Sequence, residues 1–281
     1  MTCLRGEVVM VRKPIFLISF FLFVLFSNSF YGKSSKSAIV IGASSGIGRE
    51  LAKVLSMEGY AVGIASRKLD KLNSLADEIG EEVFVKQIDI SKFDDARERL
   101  NELIGQMVKV DLIVINAGFF GQEEPDVSYG KDPLWAVEKR TIDVNVSGFV
   151  AMANSVMAYF KEVGHGHLVG VSSVDAVRGI CVNPSYSGSK AFISNYMQGL
   201  RSQLDQAGID ISITDIRPGY VSTYEPGPEA YWVATAQEVA PQIYDAIAKK
   251  KKVAYVTKRW QLIAWLLMIA PDFVYDSLGG F

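Results

Sequence analysis

The strongest constraint on this chain is a rhythm. From Lys36 onward, short apolar runs (SAIVI, YAVGIA, VFVKQI, VDLIVI, HLVGVS, IDISITDI and VAYVT) alternate with stretches long enough for helices. Runs that are apolar almost throughout, rather than at every second position, suit parallel strands covered on both faces. Seven of them predict one α/β domain, a doubly wound, mostly parallel, seven-stranded sheet. The intervals fit: Arg49 to Glu58 carries Leu51, Val54 and Leu55 on one face and stops at Gly59, and Asp94 to Met107 repeats the arrangement. Thr235-Ala236-Gln237-Glu238 reads as a capping box that starts another helix.

Composition narrows the function classes. A formal charge of -2, from 29 basic and 31 acidic side chains, gives no field that would hold nucleic acid. The one dense basic run, Lys249 to Lys252, reads as a solvated helix end or as a lipid-headgroup contact. Two cysteines, Cys3 and Cys181, make neither a disulfide framework nor a thiolate metal site. His165 and His167 lie where a polar turn enters a strand, and no metal is expected there.

Gly42, Gly46 and Gly48 follow the first strand and open the first helix, with Ser44, Ser45 and Ile47 in the same turn. Small residues there let the backbone approach a pyrophosphate, whose charge the free amides of the helix start can hold. The end of the second strand then discriminates between cofactors. A carboxylate would accept ribose hydroxyls, but Ser66 and Arg67 stand there, and a guanidinium forms a charge-assisted fork with a 2'-phosphate. The expected cofactor is therefore NADP (NADPH). Asp89, closing strand three, is placed for an adenine amino group, and Asn116, Ala117 and Gly118, closing strand four, for the ribose.

Tyr186 and Lys190, four residues apart in YSGSK, share one face of a helix. A phenol is a poor acid-base group at neutral pH, and a nearby ammonium stabilises its anion. Ser173 ends strand five, where its hydroxyl can point into the crevice above the sheet and hold a substrate oxygen beside Tyr186.

With these motifs the sequence resembles the short-chain dehydrogenase/reductase family, in its classical branch, from about Lys36 to Val256. GASSGIG from Gly42, NAG from Asn116, NVSG from Asn145, SS from Ser172, YSGSK from Tyr186 and RPGYVST from Arg217 occur in order and suitably spaced. The resemblance implies a single-domain Rossmann fold and gives catalytic roles to Asn145, Ser173, Tyr186 and Lys190. Tyr186 is then the general acid in reduction, Ser173 orients the carbonyl, and Lys190 lowers the Tyr186 pKa while binding nicotinamide ribose. Asn145 holds the local helix geometry and a water, and Pro218, Gly219, Val221 and Thr223 frame the nicotinamide. Ile41 and Ile115 depart from the family's usual threonine and asparagine without removing a reacting group.

The ends carry a further expectation. Residues 1–35 hold basic residues and then an uncharged segment from Pro14 to Tyr31, read as a signal-anchor or interfacial helix, with a cleaved signal or an incidental leader as alternatives. Residues 36–258 form the NADP-binding and catalytic domain, and 259–281 a hydrophobic helix and tail, read as membrane-interfacial, with an oligomer contact or a buried helix as alternatives. Tyr224, Tyr231, Trp232 and Val233 suggest a lid over an apolar substrate, or a dimer contact. The expected protein is a membrane-associated, NADPH-dependent reductase of an apolar or lipid-like ketone, and its tail resembles those of lipid-ketone reductases. The alternatives are an NADP-dependent dehydrogenase of a hydrophobic alcohol or steroid, or a non-catalytic NADP-binding scaffold. A homodimer or homotetramer, and a cytoplasmic or exported location, stay open.

Overall fold

The computed structural model describes residues 36–80, 82–121, 132–181, 183–222 and 232–277. Its first half runs β1 (Lys36–Ile41), α1 (Gly46–Met57), β2 (Tyr60–Ser66), α2 (Leu69–Ile79), β3 (Val83–Gln87), α3 (Phe93–Gln106) and β4 (Leu112–Ile115). Its second half runs α4 (Pro133–Ile142), α5 (Phe149–Val163), β5 (Gly166–Val171), α6 (Pro184–Ala207), β6 (Ile211–Pro218), α7 (Ala236–Ala248) and β7 (Val253–Val256). Two helices follow, α8 (Arg259–Ile269) and α9 (Asp272–Ser277).

The seven long strands form one sheet in the order β3-β2-β1-β4-β5-β6-β7, and every neighbouring pair is parallel. The expected doubly wound sheet is thus present. The apolar runs have their predicted cause: residues 38–41 of β1 and all four residues of β4 are buried, because helices cover both faces. One face packs Leu100 of α3, Phe149 and Phe160 of α5 and Met197 of α6. The other packs Leu51 and Leu55 of α1, Leu72 of α2 and Ile243 of α7. Strand order reverses between β1 and β4, so a crevice opens above their carboxyl ends.

Local signals act as their chemistry requires. Helix α1 begins at Gly46, three residues before the amphipathic stretch, because the glycine turn feeds straight into it. The capping box of α7 is complete: Glu238 N donates to Thr235 Oγ1 at 3.2 Å, and Thr235 N to Glu238 Oε2 at 2.8 Å. Between α4 and α5 the helix widens into a π-type turn over Asp143–Gly148, where a Cβ on Gly148 would sit 2.6 Å from the Ile90 carbonyl oxygen. His167 is buried in β5 beside Thr214 Oγ1, 2.8 Å away, and desolvation holds its pKa down at about 4.

At the carboxyl end, Trp260 and Ala264 of α8 are buried against Val174. Leu262, Trp265, Leu266 and Ile269 on the same helix are exposed. Three bonds tie this end to the segment after β5: Arg178 Nη2 to Asp272 at 2.7 Å, Arg178 Nη1 to Ala270 O at 3.1 Å, and Tyr275 Oη to Gly179 O at 2.6 Å. The helices themselves correct the expectation of a membrane-associated protein with a signal anchor. Among the described residues no helix is long and apolar enough to cross a membrane, and α8, at 11 residues, has one side covered by the protein itself. The amino-terminal segment 1–35, on which the anchor reading also stood, lies outside the described residues.

Phe149 is a stringent test of the larger core, being fully enclosed. Phe149→Ala is expected to lower unfolding free energy by about 3–5 kcal/mol, read from the urea midpoint at constant m.

Candidate functional site

The glycine turn is shaped by contacts that leave no room for side chains. Gly42 has φ +94° and donates to Ala65 O at 2.7 Å, and a Cβ on it would lie 2.5 Å from Ala117 N. A Cβ on Gly48 would overlap Gly42 O, whose other neighbour is Asn116 Nδ2, donating at 2.9 Å. Asn116 and Gly48 therefore brace the same carbonyl from two sides. Ser45, which precedes α1, is extended and gives the helix no side-chain cap. The amides of its first turn are thereby directed at the groove rather than at a serine oxygen.

That groove has a cavity volume of about 210 Å³ and is lined by Gly42, Ser44, Ser45, Arg67, Asp89, Asn116, Ala117 and Gly118 among others. Ser66 Oγ accepts from Lys68 N at 3.1 Å and so shapes the turn that carries Arg67. Asp89 reaches the groove with one carboxylate oxygen already bonded, to Ser91 N at 3.1 Å and Ser91 Oγ at 2.7 Å. No acidic residue closes β2, and the residues present fit a phosphorylated ribose better than a bare one.

A second cleft, about 320 Å³, shares Ser45, Asn116, Gly118 and Phe119 with the first. It brings together Gly46, Ile47, Ser173, Tyr186, Lys190, Pro218, Gly219 and Val221. Thr223, Tyr224 and Tyr231 lie outside the described residues. Asn145 is fully buried in the π-type turn: it donates to Phe119 O at 2.8 Å and Ser189 Oγ at 2.9 Å, and accepts from Phe119 N at 2.7 Å. A Cβ on Gly118 would stand 3.3 Å from Lys190 Nζ and 3.5 Å from Asn145 Oδ1. Asn145 thus fixes the strand-four loop against α6, beside Lys190.

The charges behind the cleft come from β6. Asp215, wholly buried, accepts from Ser172 Oγ at 2.5 Å, Ser194 Oγ at 2.7 Å and Arg217 Nε at 2.8 Å. Lys190 Nζ donates to Val171 O at 2.9 Å and lies 5.5 Å from the Tyr186 ring centroid. Burial pushes the Lys190 pKa down to about 8, against the attraction of Asp215 and Asp175. For Tyr186, burial is again the largest effect and pushes the phenol well above its ordinary range; Asp175 adds to this, and a hydrogen bond with Ser173 opposes it. Tyr186 is thereby a protonated phenol at neutral pH.

Two residues, one beside the cleft and one lining it, were not singled out from sequence. Asn183 caps α6, accepting from Tyr186 N at 3.0 Å and donating to Phe120 O, and the Phe120 ring meets Tyr186 edge-on at 4.7 Å. The Asn183-Pro184 pair is an ordinary helix-start signal that could have located it. Asp175, two residues past Ser173, lines the cleft beside Tyr186 and Tyr220, and nothing in its local sequence marks it. Tyr220 and Trp232 both meet Trp260 edge-on, at 5.3 and 6.0 Å, so Trp232, one of the residues expected to form a lid or dimer contact, packs against α8.

A family profile described as short chain dehydrogenase matches residues 36–228. An uncharacterized oxidoreductase of Myxococcus xanthus is 38% identical over 193 residues, covering 68% of this chain and 74% of that protein. The NADP-dependent 3-hydroxy acid dehydrogenase YdfG of Escherichia coli is 29% identical over 188 residues, 66% of this chain and 73% of its own. A solved 7β-hydroxysteroid dehydrogenase is similar in fold, with a TM-score of 0.73 at 21% identity over 89% of this chain and 98% of its own.

Lys190 gives a prediction of unusual sign. Its folded pKa of about 8 lies below the ordinary 10.5, so between these values the unfolded chain binds more protons and stability rises with pH. Below that window the buried ammonium is a net cost. Lys190→Met is expected to raise the urea midpoint at pH 7 and to flatten the rise in stability between about pH 8 and 10.5.

Proposed function

The chain belongs to the short-chain dehydrogenase/reductase family, and from that premise we propose that it interconverts an apolar secondary alcohol and its ketone with NADP(H). It is an oxidoreductase acting on a carbonyl or alcohol group. The observation that carries the finer reading is the continuity of the two clefts: Ser173, Tyr186 and Lys190 open directly onto the groove of Gly42, Ser45 and Arg67. A scaffold without turnover would not need a buried lysine and a desolvated phenol in one cleft, since each costs stability.

NADP(H) is the cofactor. It would be held by the α1 amides, by Arg67 at the 2'-phosphate, and by Asn116, Gly118, Lys190 and the Pro218-Gly219 turn toward the nicotinamide end. When bound it supplies or accepts the hydride. Ser173 holds the substrate oxygen, and Tyr186 exchanges the proton at its phenol oxygen. Asn145 ties the Phe119 backbone to Ser189 of α6, one residue before Lys190, without touching substrate. Walls of Phe120, Tyr220 and Val221 suit an apolar substrate.

This reading shifts emphasis from reduction of a lipid ketone toward an NADP-dependent dehydrogenase of a hydrophobic alcohol. The Escherichia coli relative is named as an NADP-dependent 3-hydroxy acid dehydrogenase, and the solved 7β-hydroxysteroid dehydrogenase shares the fold.

Purified protein incubated with a panel of apolar ketones and secondary alcohols tests this, with NADPH or NADH oxidation and reduction followed by absorbance. Turnover preferring NADP(H) is expected, and absence of turnover on the whole panel would defeat the proposal. Tyr186→Phe should lower kcat by at least about 10²-fold while NADPH still quenches protein fluorescence. Arg67→Ala should raise the Kd for NADPH by about tenfold or more and leave that for NADH nearly unchanged. Because burial raises the Tyr186 pKa, the phenol carries its proton throughout the neutral range. Alcohol oxidation, which needs the phenolate, should therefore climb with pH above neutrality, and ketone reduction should not.

A further inference from the structure

Beyond Tyr186 the cleft backs onto the carboxyl-terminal helices. A close-packed apolar gap of about 20 Å³, lined by Val174, Val177, Ile180, Trp260, Ile263 and Leu267, shares Asp175 and Tyr220 with the catalytic cleft and so forms its apolar backing. Asp175 stands at the junction of the two. The 3-10 turn that carries it is fixed by Ser173 Oγ, which accepts from Asp175 N at 3.1 Å, so its side chain is held on the cleft side by the residue that would orient the substrate. Its charge is felt by Tyr186, Lys190, Tyr220 and Tyr275, that is, from α6, the β6–α7 connection and α9.

Among the described residues, the charged side chains lining these two spaces are Asp175, Lys190 and Arg178. Lys190 is buried on Val171 O. Arg178 is engaged by Asp272 at 2.7 Å, by Ala270 O at 3.1 Å and by the Tyr275 ring at 4.7 Å. A carboxylate on a substrate would thus meet Asp175 in a cleft where Arg178 is already paired with Asp272 and Lys190 is buried against Val171 O. A hydroxyl or ammonium would find an acceptor there.

Resting on the function proposed above, we propose that Asp175 is a specificity-determining residue that rejects substrates bearing a carboxylate near the reacting carbon and selects those presenting a hydrogen-bond donor there, ammonium above all. Like charges held a few ångströms apart away from water repel strongly, and discrimination arises from that repulsion as much as from attraction to the right partner. The chain would then differ from the Escherichia coli relative, named for a hydroxy acid, in the sign of the group it tolerates.

The test uses three matched aryl alkyl ketones of equal chain length ending in a carboxylate, a methyl ester or a primary ammonium, reduced with NADPH by the full-length protein and by Asp175→Asn and Asp175→Ser. The ratio of kcat/KM between two ketones on one protein cancels any change in proton or hydride transfer common to both. NADPH fluorescence titration of each variant reports that it is folded. In the wild type the ammonium ketone is expected to exceed the carboxylate at least about tenfold, with the ester between, and both variants should shrink that ratio toward one. A ratio unchanged in both variants would overturn the assignment to Asp175. A wild-type preference for the carboxylate would overturn it too, pointing to Arg178 as the reader. No turnover of any of the three by NADPH-binding wild type would instead defeat the parent reading of an apolar carbonyl/alcohol oxidoreductase.

Discussion

A single buried charge organises the centre of this molecule. The Asp215 carboxylate has no access to water and accepts from Ser172 after β5, from Ser194 on α6 and from Arg217 on its own strand. These partners come from three elements that reach the cleft from different directions. Ser172 precedes Ser173, and Ser194 lies one helical turn after Lys190, so one carboxylate ties the strand bearing the hydroxyl to the helix bearing the phenol and the amine. A buried ion pair of this kind adds little net stability, and its better use is to hold one arrangement against near alternatives. Arg217 also donates to Tyr255 at 2.8 Å and to Ser194, which extends the network to the edge strand β7.

The balance of burial against charge decides the protonation of the cleft. Lys190 stays near enough to Asp215 and Asp175 to be drawn back toward its charged form, yet desolvation is the larger effect. Tyr186 is subject to the same force with the opposite consequence, because burial of an acid favours its proton while burial of a base removes one. The two groups, nearly matched in proton affinity in water, are thereby moved apart, so that the phenol holds its proton more firmly and the amine less firmly.

Much of this was legible in the residues. Continuous apolar runs gave away parallel strands because both faces of the sheet are covered, and the Thr235 to Glu238 box fixed a helix start through bonds that span three residues. Tyr186 and Lys190 were readable since one helix carries both. Asp175, Asp215 and the role of Trp260 were not, because each acts across the fold on partners far away in sequence. The burial of Tyr186 is not legible for a related reason: spacing identifies the nearest charge but not the amount of water displaced around it. The apolar residues of α8 misled in the same way, since composition does not say that Trp260 and Ala264 are covered by Val174 and its neighbours.

The contact between Gly219 and Trp260 ties two distant parts of the chain into one unit. Gly219 N donates to Val256 O at 2.7 Å, and the space a side chain would take there is filled by the indole. Neither position can drift alone over generations of descent: a larger residue at 219 needs a smaller one at 260, and the loss of the indole uncovers a bare backbone beside the nicotinamide turn. Lineages that diverge in this carboxyl-terminal helix should therefore carry a matching record of change in the loop after β6.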